Sequence, residues 1–321
     1  MSKSVSFQAV LDALLDESRP FPSPYLEVFS DIEPVNLKAL LAVWPQVEVK
    51  RRRRLLSDLR ALAEKDTLLS FDELARPLLH DEDGMVRAAA IRLLWECDDM
   101  RLVPELLRIL NSDPEEDTRA AAATGLGLFV RNGEYEEIPE QLLHQIEDAL
   151  LAAATGADKA LVRRRAIESL GFSSRPEVPA LIEAAFTHSD PDWVVSALFA
   201  MGRSSDERWQ EQVLAGLTNE NLRIRSAAAE AAGELALRAA RPLLLQMLQE
   251  EDDAEIMQAA IWSLSQIGGE DVRMVFITLL DQVEDEEIAE FLEEALENLD
   301  FTEEMDRFDL MALDPEDEPE E

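Results

Sequence analysis

The feature that most constrains the fold is a segment that repeats after 32 residues. Apolar residues follow Ile224 at helical spacing through an alanine-rich stretch, and the same pattern restarts at Ile256. Between the two copies lies another helical segment, which has Pro242 in its first turn. A pair of helices whose apolar faces can be buried only against the next pair predicts a solenoid.

The period continues through most of the chain. The first apolar or equivalent residue of each second helix is Val86, Thr118, Val162, Trp193, Ile224, Ile256 and Ile288. The intervals are 32, 44, 31, 31, 32 and 32 residues, so one interval contains an insertion, near Arg131–Ile138. The first helices carry their own marker, a proline followed by leucines, as in Pro77-Leu-Leu and Pro242-Leu-Leu.

The motif Asp-x-x-Val-Arg-x-x-Ala, present at Asp83–Ala90 and in variant form from Asp158 and Ile224, resembles the HEAT repeat. It is similar above all to the short bacterial repeats also found in phycobilisome lyases. The resemblance implies an all-α, right-handed superhelix of about eight helical hairpins. We expect capping helices and a degenerate repeat in residues 1–70, the array in 71–300 and an acidic tail in 301–321.

The net charge of −38 predicts basic protein partners and disfavours nucleic acid and anionic membranes. About half of the excess charge lies after residue 280. The N-terminus lacks the apolar core of a signal peptide, and no apolar run approaches the length of a membrane span. We therefore expect a cytoplasmic protein, and the sequence favours a monomer.

The sequence offers little for catalysis. The three histidines have no partner at metal-ligand spacing, Cys97 is the single cysteine, and Gly125-Leu-Gly127 lacks the third glycine of a nucleotide-binding loop. We interpret Gly127, like Gly171, Gly202 and Gly233, as a close-packing position between helices. No catalytic residue, metal or cofactor is predicted.

Two sets of basic residues have competing interpretations. The arginines Arg87, Arg119, Arg163 and Arg225 form either a basic ladder for phosphate or, as the resemblance to HEAT repeats implies, ion pairs with acidic turn residues, for which Asp83, Asp117 and Asp158 are the candidates. The dense run consists of Lys50, Arg51, Arg52, Arg53 and Arg54. It is either a solvated helix face, a site for an anion or acidic peptide, or a dock for the tail.

Apolar residues replace polar ones at several positions of the second helices. Val195, Phe199 and Trp262 stand where other repeats carry charged or hydroxyl side chains, and Trp95 replaces a packing glycine. In HEAT arrays the second helices line the concave face, so these four residues are candidate anchors for a partner. The alternative is that neighbouring repeats or the tail bury them.

The C-terminal segment places Phe301, Met305 and Phe308 at helical spacing in an acidic stretch. Such a segment either keeps the protein in solution and caps the array, or docks on the body and competes for the groove. The resulting hypothesis is a non-catalytic interaction scaffold that holds a basic protein. The alternative is a subunit of the chromophore-lyase type with a small molecule in the groove.

Overall fold

The computed structural model describes residues 6–251 and 253–312, and the side chains of these residues except Glu287 and 306–312. Within these ranges the regular structure is helical, as the repeat pattern predicts. Two compact units divide the chain, residues 1–170 and residues 171–321, and each is described by itself.

The first unit begins with one helix and continues with four helix pairs. Its helices are α1 Phe7–Leu15, α2 Pro34–Val43, α3 Val49–Ala63, α4 Asp72–Leu78, α5 Gly84–Leu93, α6 Val103–Ser112, α7 Glu116–Glu134, α8 Glu140–Thr155 and α9 Ala160–Leu170. The second helices stack in order, α3 on α5, α5 on α7 and α7 on α9. The insertion predicted near Arg131–Ile138 lengthens α7 and α8, which explains the 44-residue interval.

The second unit repeats this arrangement. Its helices are α10 Val178–Phe186, α11 Pro191–Arg203, α12 Gln210–Leu217, α13 Leu222–Glu234, α14 Arg241–Glu250, α15 Ala254–Ile267, α16 Glu270–Gln282 and α17 Glu286–Ala312. The second helices α11, α13, α15 and α17 pack side by side in that order. The last helix passes the predicted boundary at residue 300 without interruption.

Local sequence signals explain where these helices begin. Asp83, Asp190, Asn221 and Asp253 each accept a hydrogen bond from a backbone N–H in the first turn of a second helix. These bonds satisfy donors that otherwise have no partner at a helix start. Pro242 lies in the first turn of α14 as predicted, but Pro77 lies in the last turn of α4. The Pro77-Leu-Leu motif therefore does not correspond in position to the Pro242-Leu-Leu motif, and the predicted equivalence of the two was wrong.

The predicted close-packing glycines bring neighbouring second helices together. A Cβ atom on Gly127 would lie 2.8 Å from Ser169 Oγ, and one on Gly233 would lie 2.7 Å from Ser263 Cα. Both serines are buried, and each donates a hydrogen bond to the carbonyl four residues before the glycine it faces, that of Ala123 or Ala229. The same Gly–Ser contact therefore recurs in both units.

An arginine on a second helix also joins successive pairs. Arg87 donates two hydrogen bonds to Asp113, at 2.8 and 2.7 Å, and others to the turn carbonyls of its own repeat. Arg119 pairs in the same way with Asp158, and Arg225 pairs with Glu251. The acid always follows the first helix of the next repeat. Of the acids expected from the sequence, Asp158 has this role, whereas Asp83 pairs with Arg53.

Candidate functional site

A groove crosses the second helices of the second unit. Two adjoining depressions of about 520 and 350 Å³ share Ser226, Glu230 and Glu255. Their walls come from α11, α13 and α15, and Phe291 of α17 contributes to the larger depression. We call this surface the acidic groove and define it by Phe199, Glu230, Glu234, Glu255, Trp262 and Phe291.

Aromatic side chains form one wall of the acidic groove. The Trp262 side chain is 41% exposed, and its ring centroid lies 6.3 Å from that of Phe291 with the planes tilted by 34°. Phe199 is half-buried in the neighbouring depression, beside Val195, which is only 9% exposed. Val195 therefore packs mostly into the core, whereas Trp262 presents a large apolar face to the groove.

Carboxylates of α13 also line the acidic groove. Glu230 and Glu234 lie one helical turn apart, and the Glu234 carboxylate lies against Gly202, where any larger residue would collide with it. Burial raises the pKa of both groups; for Glu230 the neighbouring Glu234 raises it further, while Arg203 acts in the opposite direction. The Glu234 side chain is accessible to water, but protein atoms surround it within the groove and desolvate its charge.

The sequence identified part of this site. Trp262 stood out because it replaces a polar residue, whereas Glu230 has no feature in the sequence that separates it from the other acidic residues. Phe291 was missed because one apolar residue three positions after Ile288 looks like core. Trp95 belongs to the first unit, where it follows α5 and is 45% exposed. Its role as a partner anchor stays a prediction.

The basic run at Lys50–Arg54 is largely committed to contacts within the first unit. Arg51 donates to the carbonyls of Asp16 and Arg19, and Arg53 pairs with Asp83. Arg54 pairs with Asp58 on its own helix, and the Lys50 side chain is exposed.

Arg52 occupies, in the first helix pair, the position that Arg87 and Arg119 occupy in the next two pairs; we call these repeat-joining arginines the arginine ladder. It pairs with the buried Asp81, donates to the carbonyl of Val47 and lies over the ring of Trp44. The arrangement matches that of Arg87 and Asp113 in the next repeat. The run thus contains a repeat-joining residue within what the sequence suggested was one surface patch.

The start of the predicted tail motif continues α17. Phe301 and Met305 are 63% and 49% exposed, and the side chain of Phe308 lies outside the described residues. Arg273 of α16 holds this part of the helix through ion pairs of 2.7 Å with Asp300 and Glu303. In the described part of the chain, Phe301 and Met305 are therefore not docked.

The potential metal ligands are dispersed in the described ranges. No cluster of three or more histidine, cysteine, aspartate or glutamate residues there has the geometry to hold a metal ion. Burial, followed by a hydrogen bond to Asp72, raises the pKa of the Cys97 thiol to about 11, so the thiol is protonated at neutral pH. The helices of the described part are all too short or too polar to cross a membrane.

Comparison with known proteins identifies the repeat. A family model described as HEAT repeats matches residues 72–140, 178–265 and 211–300. The similarity to the phycobilisome-lyase type is not confirmed by this match. No curated protein matches the chain.

Solved structures with a related chain path are distant in sequence. The Escherichia coli protein YibA is 20% identical, with 75% of this chain and 96% of YibA covered and a TM-score of 0.42. Human deoxyhypusine hydroxylase is 17% identical over 81% and 95% of the two chains, with a TM-score of 0.36. Kap95p, solved with RanGDP, is 12% identical over 92% and 46%, with a TM-score of 0.41.

Proposed function

Because the chain belongs to the HEAT-repeat family, we propose that it is a non-catalytic scaffold that holds a segment of another protein in the acidic groove. The observation that carries the proposal is the pairing of Trp262 and Phe291 in the same depression as the carboxylates of α13. Aromatic side chains in a groove are the usual anchors of protein recognition, since they bury a large apolar area at a small cost in side-chain entropy.

The charge of the groove indicates what kind of segment it accepts. Glu230, Glu234 and Glu255 line it, and the whole chain carries a net charge of −38. A basic segment gains favourable Coulomb energy there, and its association is accelerated at low salt. Nucleic acid and anionic lipid are negatively charged and are repelled by the protein, so we do not propose them as partners. The partner is therefore a basic protein with an apolar residue near its positive charges.

The experiment compares proteins captured from the native source by three tagged forms of the full chain: the wild type, Trp262→Ala and Met274→Ala. Met274 on α16 is 62% exposed and lies outside the acidic groove, so it controls for the loss of exposed apolar surface. We expect basic proteins that the wild type and Met274→Ala retain and that Trp262→Ala loses.

A purified candidate should then bind Trp262→Ala about 30-fold more weakly than the wild type, the effect of losing an anchor worth about 2 kcal/mol. Its binding should also weaken with added salt, as the Debye length falls from about 10 Å at 0.1 M to about 3 Å at 1 M. Equal capture by all three forms would rule out the groove as the binding surface.

A further inference from the structure

The two carboxylates of α13 have an unusual environment for charged groups. Residues four positions apart on a helix lie on the same face, about 5–6 Å apart at their Cβ atoms, so Glu230 and Glu234 present their carboxylates together. Among the described residues, neither carboxylate takes part in a hydrogen bond or a close ion pair. Their pKa values are raised by burial, and the positive charge of Arg203 offsets this only in part.

Trp262, on the adjacent helix α15, lines the same depression as these carboxylates. Its ring is supported from one side by Phe291 and is 41% exposed. A depression that offers a flat aromatic face together with two acceptor groups suits a planar cation. The face attracts positive charge through its quadrupole, and the carboxylates accept hydrogen bonds from the edge of the cation.

We propose that the acidic groove recognises one arginine side chain of its partner, with the guanidinium stacked on Trp262 and hydrogen-bonded to Glu230 and Glu234. This inference rests on the proposed function and specifies the chemistry of the residue that the groove accepts. Arginine fits better than lysine, because the guanidinium is planar, has five donors in a fixed fork and is more weakly hydrated than an ammonium group.

Elsewhere in the second unit, outside the lining of the acidic groove, Arg203 lies over an aromatic ring. Its guanidinium lies 5.2 Å from the centroid of Phe172, and its charge acts on both Glu230 and Glu234. The chain's own C-terminal segment is a poor occupant. Residues 301–313 contain several acidic residues and one arginine, so the carboxylates of the groove repel the segment.

The test measures binding of labelled seven-residue peptides to the full chain by fluorescence anisotropy. The peptides have the form Gly-Leu-Ala-X-Ala-Leu-Gly, blocked at both ends, with X as arginine, lysine or citrulline. Citrulline has the shape of arginine without its charge. We expect the arginine peptide to bind at least tenfold more tightly than the citrulline peptide and more tightly than the lysine peptide.

The protein variants distinguish recognition by Glu230 and Glu234 from general attraction by the negative charge of the protein. Glu230→Gln/Glu234→Gln should abolish the preference for arginine over citrulline. The control Glu211→Gln/Glu220→Gln removes the same charge from exposed positions outside the acidic groove, and it should keep the preference. Equal binding of arginine and citrulline, equal binding of arginine and lysine, or equal losses in the two double variants would overturn the proposal.

Trp262→Ala distinguishes this inference from the proposed function. If Trp262→Ala weakens the binding of all three peptides while the wild type shows no preference for arginine, the groove binds a partner segment but the inference about arginine is wrong. If Trp262→Ala changes neither peptide binding nor capture of the basic partner, the proposed function itself fails. A preference for arginine that is lost in both Trp262→Ala and the Glu230/Glu234 variant supports both.

Discussion

Replacing either of two glycines in α7 by alanine should change stability in opposite directions. Gly127 faces the buried Ser169 at a distance that leaves no room for a methyl group. A Cβ on Gly125, two residues earlier, would meet side-chain atoms of Ile91 and Leu106 at 3.4 and 3.5 Å, which is ordinary contact. The two substitutions therefore share their chemistry and their helix and differ in the space around them.

The expected magnitudes follow from three contributions. Alanine is favoured over glycine in a helix interior by about 1 kcal/mol, which applies to both positions. At Gly127, overpacking costs about 1–3 kcal/mol. If Ser169 turns away to relieve the clash, its hydrogen bond to Ala123 is lost at about 1 kcal/mol more. Gly125→Ala should therefore stabilise the first unit by up to about 1 kcal/mol, and Gly127→Ala should destabilise it by about 1–2 kcal/mol.

Urea unfolding followed by circular dichroism, together with hydrogen exchange of α7 and α9 amides, measures these changes within the first unit. The variant Gly127→Ala/Ser169→Ala removes the oxygen that clashes, so it should be more stable than the sum of the two single changes predicts. A shift in the same direction for Gly125→Ala and Gly127→Ala, or strict additivity in the double variant, would refute the close-packing role of Gly127.

Three further predictions concern other parts of the chain. Ala236 has a φ of 48° after α13, a conformation that costs a non-glycine residue about 1–2 kcal/mol, so Ala236→Gly should raise the urea midpoint. Because the pKa values of Glu230 and Glu234 are raised in the folded state, these side chains favour folding most at acid pH, and this contribution is lost as the pH rises through the folded-state pKa. Glu230→Gln/Glu234→Gln should therefore raise the free energy of unfolding at pH 7, and this gain should disappear below the normal glutamate pKa. A gain in stability that grows on acidification would contradict the prediction. Arg87→Met leaves the buried Asp113 charge unpaired and should cost about 3 kcal/mol or more in thermal or urea unfolding, whereas Arg87→Met/Asp113→Asn should recover most of it, because the amide oxygen still accepts from the Glu115 N–H.

The repeat pattern made the helix pairs predictable because burial of an apolar face imposes a period that the sequence must show. The interval between Ile224 and Ile256 reappears in the spacing of α13 and α15, and the packing glycines lie where the pattern placed them. Contacts between repeats were harder to predict from the sequence. Arg52 looked like a surface charge because its partner Asp81 lies 29 residues away and meets it only when the pairs stack.

The candidate site was predictable only where it breaks the repeat pattern. Trp262 could be singled out because its position is polar in other repeats, but Val195 shows that an apolar residue at such a position can also be buried. Whether the carboxylates of Glu230 and Glu234 have hydrogen-bond or ion-pair partners depends on how the neighbouring helices are arranged in space. A sequence with 68 acidic residues among 321 gives no signal of that, because carboxylate pairs at helical spacing are common in it.

The arginine ladder has a mechanical consequence. In the first unit, Arg52, Arg87 and Arg119 tie each helix pair to the next. In the second unit, Val194 and Met257 hold the corresponding positions on either side of Arg225. The ion pairs Arg223–Asp192 and Arg241–Asp271 also connect successive pairs of the second unit, and they are more exposed than Arg52–Asp81 and Arg87–Asp113 of the first unit. Added salt should therefore weaken the ionic resistance to small rotations of successive pairs more around the acidic groove than within the first unit.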